Sequence, residues 1–422
     1  VSFLSTTLLE QSLNPNVFQF GPERLGMLSQ YAKKLDCLYW MIPVVTVTGT
    51  NGKGSTIAAL KSIYHAAGLR AGVYTSPHFL SYHERIAVND RFIAEDELVQ
   101  AIQAVDQVLE ESVPISFFER LTLIALYYFK QQALDVLILE VGLGGRLDAV
   151  NIIDADLVMV TTVDFDHQDY LGHTLEAIAF EKAGLFRAGK QAIFADINCP
   201  RSMQEHANTL GTNLHHCGVD YDYLEDDEML AIRVDEQTIK LSGKPKVRTQ
   251  AFVAALYASF LLRDRLAATE KAWQDALNQC FLPGRVQMIA NDPKIVLDVA
   301  HNPQGVRYLT QEIKKIANGV QVHAVFSMMR DKNALECVQE FNKLSPLWYN
   351  TVLNGERAHT KASIESVFGQ SALACQFYPS PVQAFKAAKQ AAAPNDVIVV
   401  FGSFLMVEPI MKLLMEEGIP CL

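Results

Sequence analysis

Short apolar runs alternate with longer amphipathic stretches along most of this chain. VVTVT (44–48) is a β-branched run, followed by a turn-rich segment and a helical pattern through Ala66. AGVYT (71–75), DVLILEV (135–141), DLVMVTTV (156–163) and QAIFAD (191–196) read as further strands. Helical patterns lie between them, around 95–110, 119–132 and 174–187. The strands are continuously apolar rather than alternating, which predicts a parallel sheet covered on both faces and hence an α/β fold.

A second series follows the punctuated stretch FLPGRVQMI (281–289). It runs KIVLDVA (294–300), QVHAVFSM (321–328), LWYNTVL (347–353) and DVIVVFG (396–402), with helical patterns near 304–317, 333–343, 361–369 and 381–392. The segment 214–248 differs, carrying EDDE at 225–228 and short alternating runs, and suggests a small hairpin insertion. Two α/β domains joined near 285 are expected, in keeping with roughly 150 residues per domain.

Composition narrows the functional classes. The 422 residues are 50% hydrophobic and carry a net charge of −11, with no basic run. A disordered chain is excluded, and neither nucleic acid nor an anionic membrane is an expected partner. A small anion remains admissible, because one close cation outweighs distant screened charges. The seven cysteines are scattered and form no Cys-x-x-Cys pair, so reduced thiols in a cytoplasmic protein are the plain reading. VSFLSTTLLEQ lacks the basic flank and apolar core of a secretory leader. AFVAALYASFLL (251–262) stops at Arg263, short of the ~20 residues a membrane span needs. A monomer is expected.

VVTVTGTNGKGSTIAAL (44–60) is the most informative stretch. A buried strand enters Gly49-Thr50-Asn51-Gly52-Lys53-Gly54-Ser55 and a helix begins at once. Glycines let backbone N–H groups turn toward phosphate oxygens, the helix N-terminus adds partial positive charge, and Lys53 adds a full one. The strict P-loop pattern is not met, because Val47 and Gly54 stand where Gly and Ser or Thr belong. Ser55 or Thr56 can still offer a hydroxyl to magnesium. An ordinary glycine-rich turn is the competing reading.

Glu140 ends the apolar run VLILE and precedes a glycine turn. A carboxylate at the C-terminal end of a parallel strand faces the crevice where such sheets bind ligands, and can hold a Mg²⁺ that bridges nucleotide phosphates. A strand-end salt bridge is the alternative. TTVDFDHQDYLG (161–172) brings Asp164, Asp166 and His167 to the same sheet edge, where His167 is either a ligand or a hydrogen-bonded structural histidine.

TGTNGKGS (48–55), TSPH (75–78), EVGLGGRLDA (140–149), DH-x-DYLG (166–172), EKAG (181–184), LPGR (282–285) and DVAHNP (298–303) together resemble the folylpolyglutamate synthase and dihydrofolate synthase family, relatives of the Mur ligases. FGPERLGML (20–28) is similar to that family's N-terminal segment, and the organisation is closest to its bifunctional bacterial members. The resemblance implies a P-loop-type, Mur ligase-like ATPase domain over 1–284 and a smaller Rossmann-like α/β ligase domain over 285–422. It implies ATP-dependent amide formation through an acyl phosphate, with dihydropteroate, reduced folates and L-glutamate as substrates. A monofunctional polyglutamylating enzyme and a Mur-type amino-acid ligase are the nearest rivals. A nucleotide-gated binding protein and a simple phosphotransferase are more distant ones.

Carried over by position, Gly49, Thr50, Asn51, Gly52, Lys53, Gly54 and Ser55 match the ATP-phosphate loop. Ser76, Glu140 and His167 match ligands of magnesium, with two ions implied. Lys182 matches a carbamylated lysine, and a solvated helix charge is its plain alternative. Arg285 and Asp298 match nucleotide contacts, and His301 and Ser403 match positions implicated in glutamate binding. The pterin pocket falls on Ser116, Phe117, Phe118, Glu119, Leu147, Asp148 and Ala149, although FFERLTLIALYYF also reads as a buried helix whose aromatics only pack. Lys53, Lys182 and His301 are the catalytic candidates. The sequence departs from the family at Gln250, where an adenine-contacting Asn is usual, and at Arg120-Leu121, where relatives carry Tyr-Gly.

Overall fold

The computed structural model describes residues 4–11, 21–110, 112–355 and 357–421; Phe20 and residues 12–19 lie outside them. The chain divides into two compact units, Val1–Phe281 and Leu282–Leu422.

In the first unit β1 (Val44–Thr48), β2 (Ala71–Tyr74), β3 (Ile86–Val88), β4 (Arg91–Phe92), β5 (Val136–Glu140), β6 (Leu157–Val160), β7 (Gln191–Phe194) and β8 (Asn213–His216) form one sheet. Its order is β4-β3-β2-β5-β1-β6-β7-β8. The run β2 to β8 is parallel, while β3 and β4 add an antiparallel edge. β1 is buried at every position, as expected of a central strand with helices on both faces. Leu137, Leu139, Val158 and Val160 point into a core that also holds residues of the Pro22–Lys34, Glu95–Asp106 and Phe117–Lys130 helices. On the opposite face the Lys53–Ala66 helix packs against β1, β2 and β5 and against the Thr249–Leu261 and Glu270–Gln279 helices.

The apolar stretch around 251–262 is therefore a buried, 13-residue helix, and no helix among the described residues is long and apolar enough to cross a membrane. The charged segment after 214 is smaller than expected, because 213–216 joins the main sheet as β8. What remains is an antiparallel three-stranded sheet of β9 (Tyr221–Glu225), β10 (Met229–Val234) and β11 (Gln237–Ser242).

The second unit has β12 (Gln287–Asn291), β13 (Lys294–Leu297), β14 (Val322–Phe326), β15 (Leu347–Asn350), β16 (Gln376–Phe377) and β17 (Val397–Phe401) in the order β12-β13-β17-β14-β15-β16. Only β12 is antiparallel to its neighbour. The chain does not finish with β17: Ser403 caps a further helix, Phe404–Glu416. Pro409 sits inside that helix, and a proline at an interior position ordinarily signals a break, which hides the helix from a pattern reading.

Candidate active site

The sheet order places the C-terminal ends of β2, β5, β1 and β6 side by side, and the main candidates of the first unit leave from these four ends. β1 runs into Gly49, whose φ is +140°, and the loop closes at Gly52, φ +94°, the N-cap of the Lys53–Ala66 helix. A Cβ on Gly49 would lie 1.9 Å from the Thr161 hydroxyl, so glycine is required there by space as well as by backbone conformation.

The loop is laced to the end of β6. Thr50 N–H donates to the Thr162 carbonyl (2.9 Å) and Asn51 N–H to the Thr162 hydroxyl (3.0 Å). The Thr161 hydroxyl donates to the Asn51 carbonyl at 2.6 Å, and the Thr50 hydroxyl donates to the Asp164 carbonyl at 3.1 Å. Lys53 Nζ folds back onto the Gly49 carbonyl at 2.9 Å, over its own loop. Ser55 and Thr56 are buried, and the Thr56 hydroxyl has no hydrogen-bond partner among the described residues.

Glu140 is 4% exposed, and its Oε2 accepts the Ser76 N–H at 2.9 Å. His167 stands at the other side of the loop in the left-handed region, φ +50°. Its N–H donates to Asp166 Oδ1 at 2.9 Å. One carboxylate, one hydroxyl and one imidazole from adjacent strand ends form a sparse donor set. Among the described residues no group of three or more His, Cys, Asp or Glu side chains is placed to hold a metal ion. Such a set fits magnesium, which keeps waters and takes few protein ligands beside phosphates.

Lys182 is 2% exposed, on the Leu175–Ala183 helix. Burial lowers its amine to about 7, and the positive charge of Lys53 pushes the same way against a weaker opposing pull from Asp166. It is not a solvated helix charge.

Ser116 and Glu119 form a reciprocal cap at the start of the Phe117–Lys130 helix. The Glu119 carboxylate accepts the Ser116 N–H (2.7 Å) and holds the guanidinium of Arg24 in a buried ion pair. Both of its oxygens are thus engaged inside the protein, at the start of the turn that carries the two phenylalanines. Phe118 lies on Tyr74, ring centroids 5.8 Å apart, and against Gly142, where a Cβ would meet its ring at 2.8 Å. Phe117 lies 5.5 Å from the Tyr82 ring and beneath the Arg85 guanidinium at 5.4 Å. Both phenylalanines are half-buried.

Asp148 accepts the N–H groups of Leu143 (2.9 Å) and Val150 (3.0 Å), and burial raises its carboxyl to about 6. Leu147 is half-buried and Ala149 buried beside it. Arg120 does not face this pocket: its guanidinium pairs with Asp106 at 2.6 Å and donates to the Leu8 carbonyl, while Leu121 is fully buried. The departure at 120–121 is thereby absorbed on the far side of the helix. Gln250 Nε2 donates to the Ala195 carbonyl at 2.7 Å.

In the second unit Asp298, at the end of β13, accepts the Val286 N–H (2.7 Å) and the Ala300 N–H (2.6 Å). It thereby pins β-branched Val286 at φ +44°, a strained conformation costing about 1–3 kcal/mol. Arg285 lies over the Phe404 ring at 5.3 Å. His301 Nδ1 lies 2.9 Å from the Val299 carbonyl; a carbonyl only accepts, so the Nδ1–H tautomer is set. The Ser403 hydroxyl accepts the Leu405 N–H as a helix cap.

This geometry matches known proteins along the whole chain. Residues 47–252 match the Mur ligase middle domain and 284–404 the Mur ligase glutamate ligase domain. The dihydrofolate synthase/folylpolyglutamate synthase of Escherichia coli is 35% identical over 404 residues, 96% of this chain and 93% of that protein. The chain belongs to the dihydrofolate synthase/folylpolyglutamate synthase family. A solved structure of E. coli FolC in complex with DHPP and ADP superposes with a TM-score of 0.91 at 35% identity, over 99% of each chain. The bifunctional enzyme of Yersinia pestis complexed with AMPPNP and Mn ion gives 0.90 at 35% identity, over 98% of each chain.

Several residues of this family member escape a motif reading. Thr161 and Thr162 brace the phosphate loop through hydroxyls, a role that nothing in TTVDFDH announces. Arg24 lies 95 positions from the Glu119 it pairs with. Arg85 is half-buried, and its Nε donates to His78 Nδ1 at 2.8 Å.

Proposed function

We propose that this chain is an ATP- and divalent-metal-dependent ligase that joins L-glutamate to dihydropteroate and to reduced folates. The glycine cradle at Gly49, flanked by Glu140 and His167 at neighbouring strand ends, carries this reading; family membership supplies the substrate class. The loop N–H groups and Lys53 bind and orient the nucleotide phosphates. Ser76, Glu140 and His167 would hold a divalent ion, which would offset the charge of those phosphates.

In the reaction a substrate carboxylate oxygen attacks the γ-phosphorus and ADP leaves. The amine of glutamate then attacks the acyl carbon, phosphate leaves and the amine sheds a proton. Phe117 and Phe118 offer ring faces for the pterin, and Asp148 an acceptor for its amino-pyrimidine edge. Arg285 and Asp298 are assigned to the nucleotide, with the Gln250 amide oxygen left to face its base because Nε2 is engaged. His301 and Ser403 are assigned to glutamate.

Lys182 is read as a carbamate. Its neutral amine attacks CO₂, an N–C bond forms and a proton is released, turning a cation into a bidentate anion. An amine held near 7 is populated in the neutral form that this reaction needs. The seven cysteines are not in disulfides, which suits a reducing cytoplasm, and a monomer is assigned.

The deciding experiment is ADP release with dihydropteroate and with tetrahydrofolate, each with and without L-glutamate. Release that depends on glutamate with both acceptors is expected. Glutamate dependence with tetrahydrofolate alone identifies a monofunctional polyglutamylating enzyme. Release indifferent to glutamate overturns the reading.

A further inference from the structure

Lys182 is buried, yet among the described residues no hydrogen bond fixes its Nζ; only the charges of Lys53 and Asp166 act on it. Its amine is therefore located by the helix that carries it, and the fixing of that helix becomes part of the chemistry. The Leu175–Ala183 helix ends in a clamp. Arg146 N–H donates to the Glu181 carbonyl at 2.8 Å. The Arg146 guanidinium forks onto the Glu181 carboxylate, with Nε at 3.1 and 3.2 Å and a terminal nitrogen at 2.8 Å.

Glycines remove all clearance on both sides. A Cβ at Gly184 would lie 2.4 Å from Arg146 Cβ, and one at Gly145 would lie 3.0 Å from the Glu181 carbonyl. Asn151 closes the far side through its Nδ2, which donates to the Arg146 carbonyl at 2.8 Å. The same glycine turn is tied to the phosphate loop, because the Thr48 hydroxyl donates to the Gly144 carbonyl at 2.6 Å. A continuous path thus runs from the last residue of β1, through Gly144 and Arg146, to the residue next to Lys182.

We propose that Arg146 and Glu181 are a positioning pair that registers the Lys182 amine against the phosphate loop, so that it accepts CO₂ and the resulting carbamate faces the metal position. The pair acts through Lys182, the residue next to Glu181. This inference rests on the carbamate reading above. A planar guanidinium gripping a carboxylate in two places fixes orientation, where a lysine would supply only a point charge. Arg146→Lys is for that reason the sharper variant, and Arg146→Met and Glu181→Gln remove the fork outright.

The test measures three quantities on each full-length protein: melting temperature, the ¹³C carbamate resonance after equilibration with ¹³C-bicarbonate, and the Mg²⁺ concentration dependence of glutamate-stimulated ADP release. The wild type is expected to show the carbamate signal. The variants are expected to fold, to lose most of that signal and to require about 10–100-fold more Mg²⁺, the range typical of residues that orient metal ligands. The Arg146→Met/Glu181→Gln double variant is expected to be no worse than either single one, as for two halves of one unit. Arg146→Lys serves where Arg146→Met does not fold. Folded variants with wild-type carbamate signal and Mg²⁺ dependence overturn the pairing alone. A wild type that ligates glutamate without any carbamate signal overturns the carbamate reading, and this inference with it.

Discussion

The Ser76 backbone N–H donates to Glu140 Oε2 at 2.9 Å, tying the end of β2 to the end of β5. The hydrogen bond fixes the carboxylate beside the phosphate loop, because β5 is the immediate neighbour of β1 and Glu140 stands in register with Val47. Glutamine preserves an acceptor for Ser76 but not the anion. Glu140→Gln is therefore expected to melt close to the wild type while losing at least about 100-fold in turnover, since a lost metal contact removes several kcal/mol of transition-state stabilisation and each 1.4 kcal/mol is tenfold. Turnover within a few-fold of wild type in steady-state assays would remove Glu140 from the metal position.

Gly49 is the position where the loop tolerates least. An added Cβ meets Thr161 Oγ1 at 1.9 Å on a backbone at φ +140°, and Thr161 is itself the donor that holds the Asn51 carbonyl. Gly49→Ala is expected to cost about 1–3 kcal/mol in urea unfolding and to abolish nucleotide binding by calorimetry. Gly68, also at positive φ, has nothing within 4 Å of its added Cβ. Gly68→Ala is thus the control for backbone strain alone, and it retains nucleotide binding.

Lys182 separates stability from function. Its amine titrates near 7 in the folded chain and about 10.4 when unfolded. Between those values the unfolded state binds more protons, so this group's contribution to stability rises with pH from 7 upward, and its penalty is complete below 7. Lys182→Met keeps the volume and removes the titration. In CO₂-free buffer the variant is expected to exceed the wild type in stability at pH 6.5, with the gap narrowing by pH 9, while glutamate-dependent ADP release is lost. Parallel stability curves across that range would contradict the buried amine.

The parallel sheets were legible because their strands are uninterrupted apolar runs, and the phosphate loop because glycine, lysine and helix start coincide within seven residues. Less was legible where function rests on contacts between distant segments. Glu119 looks like a free carboxylate in SFFE, and only the fold shows Arg24 lying on it. Lys182 looks like a helix-surface charge in EKAG, and only the packing of its helix shows it 2% exposed. The Phe404–Glu416 helix was hidden by Pro409, whose helix-breaking tendency is overridden by burial of Met406, Val407, Ile410 and Met411 around it.

The Arg24–Glu119 pair anchors the first turn of the helix that carries Phe117 and Phe118. Arg24 Nε donates to Glu119 Oε1 at 2.9 Å, and a terminal nitrogen donates to the Pro114 carbonyl at 2.8 Å; both side chains are about nine-tenths buried. Removing one partner strands a buried charge, so Arg24→Ala is expected to destabilise the protein by about 3–5 kcal/mol in urea unfolding. Replacing both, as Arg24→Met with Glu119→Leu, removes the stranded charge and is expected to recover most of that loss. The double variant still lacks the carboxylate that caps Ser116 and sets the first turn bearing Phe117 and Phe118. Its KM for dihydropteroate is expected to rise with its KM for ATP unchanged. Restored stability with an unaltered KM for dihydropteroate would show that the pair stabilises the fold without shaping the acceptor pocket.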